Sequence, residues 1–111
     1  ADPLSYPAAF GLAKAWEKTD ATKDGQTKAF ESYRTACALR PSAVSTFLAA
    51  GSLAAKLGLN LQAVEIYSRA VAANPNSSDA IDGLIRALRK VGGKEKIAAA
   101  YQAYRLSLAR K

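Results

Sequence analysis

FLAAGSLAAKLGLNLQAVEIYSRAVAANP, residues 47–75, carries the clearest structural pattern in the chain. Its apolar residues form two helical runs, interrupted at Gly58-Leu59-Asn60 and closed at Asn74-Pro75. In the second run Ala63, Tyr67 and Ala70 stand at i, i+4 and i+7 and therefore share one helix face. Small residues there let a neighbouring helix come close, and the tyrosine ring fills the space between them. Proline ends the unit because it cannot extend a helix already running, yet it tolerates the first turn of the next. The reading is a helix pair followed by a turn.

Outward from this stretch the pattern recurs every 34 residues: Tyr33, Tyr67 and Tyr101; Ala29, Ala63 and Ile97; Ala36, Ala70 and Tyr104; Pro41 and Pro75. Several ladders with one period mark a repeat architecture, in which each unit buries its apolar face against its neighbours. The spacing predicts six helices, near 7–18, 26–39, 42–57, 61–73, 78–91 and 94–109. Lys23-Asp24-Gly25-Gln26, Gly58-Leu59-Asn60 and Gly92-Gly93 are expected as the turns inside the pairs. Arg40-Pro41-Ser42 and Asn74-Pro75-Asn76-Ser77-Ser78 are expected as the turns between pairs, with Ser42, Asn60 and Ser78 as helix caps.

With Phe47, Ala50, Gly51 and Ala54 followed by Ala63, Tyr67 and Pro75, the chain resembles the tetratricopeptide repeat (TPR) family over about residues 7–109. The middle unit is the clearest copy. The third keeps Ile81, Leu84, Leu88, Ile97 and Tyr101, but has Ile85 for the glycine and Ala109 for the closing proline. The first keeps Ala29, Tyr33, Ala36 and Pro41, while Trp16 and Glu17 fit the first-helix pattern poorly. The resemblance implies an all-α fold: a right-handed superhelical stack of three antiparallel helix pairs, with units of about 6–41, 42–75 and 76–111. Residues 1–5 are set apart as a leader, since Ala1-Asp2-Pro3 resembles a cloning scar.

The chain of 111 residues is the size of one small domain, rich in alanine and other helix formers. It contains no histidine and one cysteine, so neither a disulfide nor a thiol metal cluster can form within it. Cys37, between Ala36 and Ala38, reads as buried filler; Glu17, Glu31, Glu65 and Glu95 read as isolated, solvated helix positions. Gly92-Gly93-Lys94 lacks the second glycine and the hydroxyl of a phosphate loop. No catalytic residue, metal or cofactor is expected, and no enzyme. The run 43–55 is too short and too polar to span a membrane. Asn76-Ser77-Ser78 matches a sugar-acceptor pattern, which matters only on a secretory route. The lone thiol leans toward a cytoplasmic setting, with secretory or organellar routes left open.

Net charge is +7, and residues 76–111 carry eight basic against three acidic residues. Such a balance favours acidic partners. In a stack of this kind the first helices line a concave groove. The residues expected there are Lys14 and Lys18 from the first helix, then Ser45, Leu48, Ala49, Ser52, Ala55 and Lys56, and finally Asp79, Asp82, Gly83, Arg86, Arg89 and Lys90. Arg86, Arg89 and Lys90 share a face at i, i+3 and i+4. An apolar floor with cations at one end suits a protein or peptide partner carrying acidic residues. Some members of the resembled family grip C-terminal acids with a carboxylate clamp. At the matching positions stand Lys14, Lys18, Ala49, Asp79 and Gly83, of which only Lys14 agrees, and Asp79 would repel the carboxylate. A clamp of that type is not expected. Two other classes stand beside the scaffold reading. One is a basic module for RNA or another polyanion; the other is an assembly module, a monomer or weak dimer through Tyr104, Leu106 and Leu108 of the last helix.

Overall fold

A computed structural model describes residues 5–20 and 22–109. Six helices follow in order: α1 (Tyr6–Thr19), α2 (Lys23–Leu39), α3 (Val44–Lys56), α4 (Asn60–Ala73), α5 (Ser78–Val91) and α6 (Glu95–Ala109). They form three successive antiparallel pairs. Each helix packs on the one before it, and α3 also meets α5. The molecule is an all-α helical-repeat solenoid measuring 44 × 27 × 18 Å.

The alanine and tyrosine ladders form the core. Ala29, Ala36, Ala63 and Ala70 are fully buried, and Tyr33 and Tyr67 are buried with them. Gly58, Gly92 and Gly93 adopt positive φ of 78°, 82° and 67° in the turns expected of them, where a side chain would be strained. The third unit departs from the ladder. Ile97 is 45% exposed and Ala98 takes the buried position, because α6 presents a face rotated by one residue to α5. Tyr101, Tyr104 and Leu108 pack half-buried against the core. The Tyr104 hydroxyl donates to the Pro75 carbonyl at 2.9 Å, and Arg105 pairs with Asp82 at 3.4 Å. Of the three residues expected to offer an assembly face, only Leu106 is mainly exposed.

Several expectations at helix starts are corrected. Lys23-Asp24-Gly25-Gln26 is the first turn of α2: the Thr22 hydroxyl caps it, accepting from the Gly25 N–H at 3.2 Å. Gly25 serves close approach, since a Cβ there would lie 2.3 Å from the Asp20 carbonyl oxygen. Each cap falls one residue from the one expected: Ala43 follows Ser42, while Leu59 precedes Asn60 and Ser77 precedes Ser78. Of these only Ser77 makes a side-chain cap, accepting from the Ala80 N–H. Ser5, assigned to the leader, caps α1 by accepting from the Ala8 N–H at 3.3 Å. Residues 1–4 of that leader lie outside the described residues.

The first pair solves its packing in its own way. Trp16 is half-buried against the core with the Lys28 ammonium 4.6 Å above its ring. Glu17, expected as a merely solvated acid, accepts a hydrogen bond from the buried Tyr33 hydroxyl. Glu65 is likewise not isolated, pairing with Arg69 at 3.0 Å. The fully buried Thr46 hydroxyl bonds the Tyr6 hydroxyl at 2.6 Å, tying the start of α1 to α3.

Candidate functional site

Between α3, the start of α4 and α5 lies a recess of about 220 Å³. From α3 come Ser52, Ala55 and Lys56; from α4, Asn60 and Tyr67. Helix α5 supplies Gly83, Arg86, Ala87 and Lys90. The recess exists because three helices approach closely around one ring. Tyr67 sits between Gly51 of α3 and Gly83 of α5: a Cβ would meet its ring at 2.8 Å from the first and 2.2 Å from the second. Burial pushes the Tyr67 phenol above its ordinary value, while the Arg86 guanidinium beside it works in the opposite direction.

Three of the nine lining residues are cations, Lys56, Arg86 and Lys90, and none is acidic. Among the described residues the ion pairs engage Lys28, Arg69 and Arg105, leaving these three outside any ion pair. Ser52 and Asn60 add neutral donors. A second hollow of about 460 Å³ adjoins the recess, sharing Asn60 and Lys90 with it and continuing over Leu61.

Of the residues expected in the groove, Ser52, Ala55, Lys56, Gly83, Arg86 and Lys90 therefore come together. Lys14, Lys18, Ser45, Leu48, Ala49, Asp79 and Arg89 are not among the recess's lining residues. The Lys14 ammonium stands 5.4 Å from the Phe10 ring centroid, and Leu48 and Ala49 pack half-buried against the core. Asp82, expected in the groove, instead pairs with Arg105 of α6. Asn60 and Tyr67 were missed as lining residues: a repeat pattern assigns them to a helix start and to the core, and carries no signal for their meeting with Lys90 and Arg86.

A further crevice of about 170 Å³ opens between α2 and α4, walled by Arg34, Glu65 and Arg69 over Cys37 and Phe47. Burial pushes the Cys37 thiol up to about 11 against the opposing pull of Arg69, so it is a poor nucleophile. Among the described residues no three His, Cys, Asp or Glu side chains gather as a metal site would require. Among them, too, no helix is long and apolar enough to cross a membrane.

No protein-family model matches the chain. No curated protein gives a significant match. Solved structures do: a crystal structure of the MamA protein superposes with a TM-score of 0.82 at 21% identity, covering 99% of this chain and 57% of its own. A second MamA structure gives 0.81 at 20% identity, covering 98% of this chain and 61% of its own. The chain thus spans about three-fifths of the length of these neighbours, which are TPR-like helical-repeat proteins. At this identity the likeness establishes architecture alone, and the fold is a TPR-like all-α helical repeat.

Proposed function

We propose that the chain is a non-catalytic protein-interaction scaffold of three TPR-like units that holds an acidic peptide segment in the recess between α3 and α5. The observation that carries this reading is the recess itself, with three cations, no acid and no ion pair occupying the cations. Side chains on the surface of a rigid repeat stack are positioned by the core beneath them, which suits recognition of an extended or helical partner. Nucleic acid fits the same charge less well, since Tyr67 is the recess's only aromatic residue and is buried in the core, where it cannot serve as a stacking platform.

The test is affinity capture from the native cell extract with the wild-type chain, an Arg86→Glu/Lys90→Glu variant and an Arg89→Glu control. Arg89 lies outside the recess, so the control alters α5 charge without altering the site. A discrete protein retained by wild type and control and lost with the double variant is the expected result. Loss with all variants, or retention of RNA alone, would refute the groove reading.

A further inference from the structure

Three helices contribute donor-bearing residues to the lining of the recess: Ser52 and Lys56 from α3, Asn60 from α4, and Arg86 and Lys90 from α5. A carboxylate offers two oxygens in one plane and one negative charge, so it would engage one wall and leave two cations uncompensated. A phosphoryl group offers three oxygens diverging from one phosphorus and carries close to two negative charges at neutral pH. Arginine supplies a forked pair of donors to such a group, and lysines act as point charges beside it. We infer that this recess is a phosphoryl-binding site, and that the acidic segment held by the scaffold presents a phosphoserine or phosphothreonine there.

The inference rests on the scaffold reading for its peptide, but the anion site stands on geometry of its own. The volume, about 220 Å³, admits one such group with its side-chain stem and no folded partner. Gly83 packs directly on the Tyr67 ring, and both line the recess. A phosphodiester, with a single charge and two substituents, matches the three cations less well, which separates this site from one built for RNA.

The experiment follows backbone amide shifts of the isotope-labelled full chain at constant ionic strength. Four probes are used: inorganic phosphate, a glycine pentapeptide with a central phosphoserine, the same peptide with glutamate in its place, and an oligouridylate. Phosphate and the phosphoserine peptide are expected to shift the amides of Ser52, Asn60 and Gly83 saturably. The phosphoserine peptide should bind about tenfold more tightly than the glutamate peptide, the equivalent of one additional charge-assisted hydrogen bond. Lys56→Gln/Lys90→Gln should remove that advantage, with an unchanged unfolding midpoint as proof of folding, and Arg89→Gln should retain it. Equal affinity for the glutamate peptide would overturn the phosphoryl inference while leaving an acidic-peptide groove intact. Tighter binding of the oligouridylate at the same amides would overturn both. Absence of saturable shifts with every probe would overturn the site, and the scaffold reading would then stand or fall on its capture test.

Discussion

Tyr67 packs between two glycines, Gly51 of α3 and Gly83 of α5. It repeats Tyr33 and Tyr101 in the sequence, yet alone of the three it is closed in by glycine on both flanking first helices. Alanine has the higher helix propensity, by about 1 kcal/mol, so glycine at positions 51 and 83 is retained against local preference. The ring is the reason. An alanine Cβ at position 83 would lie 2.2 Å from Cε1, and the ring cannot retreat because Gly51 backs it on the other side. Gly83→Ala is expected to cost about 1–3 kcal/mol through overpacking, which outweighs the propensity gain. In a Tyr67→Leu background the same Gly83→Ala change should become neutral or stabilising. Urea unfolding of the four proteins in this cycle gives the coupling, and additivity of the two changes would refute the clasp.

Helix α2 carries the two groups whose protonation most depends on the fold. Burial, reinforced by the hydrogen bond to Glu17, holds the Tyr33 phenol well above its ordinary value of 10.0. Burial also raises the Cys37 thiol from 9.0 to about 11. Each group keeps its proton in the folded chain at a pH where the unfolded chain has released it. The Cys37 contribution is therefore fully present below pH 9 and is lost as pH rises to about 11, while that of Tyr33 is fully present below pH 10 and declines above it. The unfolding midpoint should fall across that window, and Cys37→Ala should flatten the fall; a pH-independent midpoint would show that α2 loosens without exposing either group. The same helix shows what a sequence can disclose. Its buried face, Ala29, Tyr33 and Ala36, was legible because period and helix geometry are local. Its start was not, because glycine serves both tight turns and close approach, and only the neighbouring Asp20 decides which applies at Gly25. Caps behave alike: Ser77 and Ser78 are adjacent, either can accept, and backbone geometry selects Ser77. The site was half legible for a related reason. The stripe of cations on α5 follows from spacing, but the packing of α5 on α4 is non-local; it puts Asn60 and Tyr67 in the lining and leaves Arg89 out of it.

At the scale of the molecule, a stack in which each helix packs chiefly on its chain neighbour is stabilised as a series of interfaces, and a weakness at one end need not reach the other. Helix α6 is the test of that principle here. Among its described residues the one fully buried anchor is small, Ala98, supported by half-buried Tyr101, Tyr104 and Leu108. Two polar ties compensate, Tyr104 to the Pro75 carbonyl and Arg105 to Asp82. Removing both with Tyr104→Phe/Asp82→Asn should weaken α6 by roughly one hydrogen bond and one ion pair, enough to speed exchange of its amides about tenfold. Amides of α1 and α2 should exchange at the wild-type rate, because α6 packs chiefly on α5. Since the recess lies on the α3–α5 side of this joint, its amides should also be spared, leaving the recess formed while the last helix opens. Equal acceleration in all six helices would instead mean that the stack opens as one cooperative unit, with the ties of α6 setting the stability of the whole.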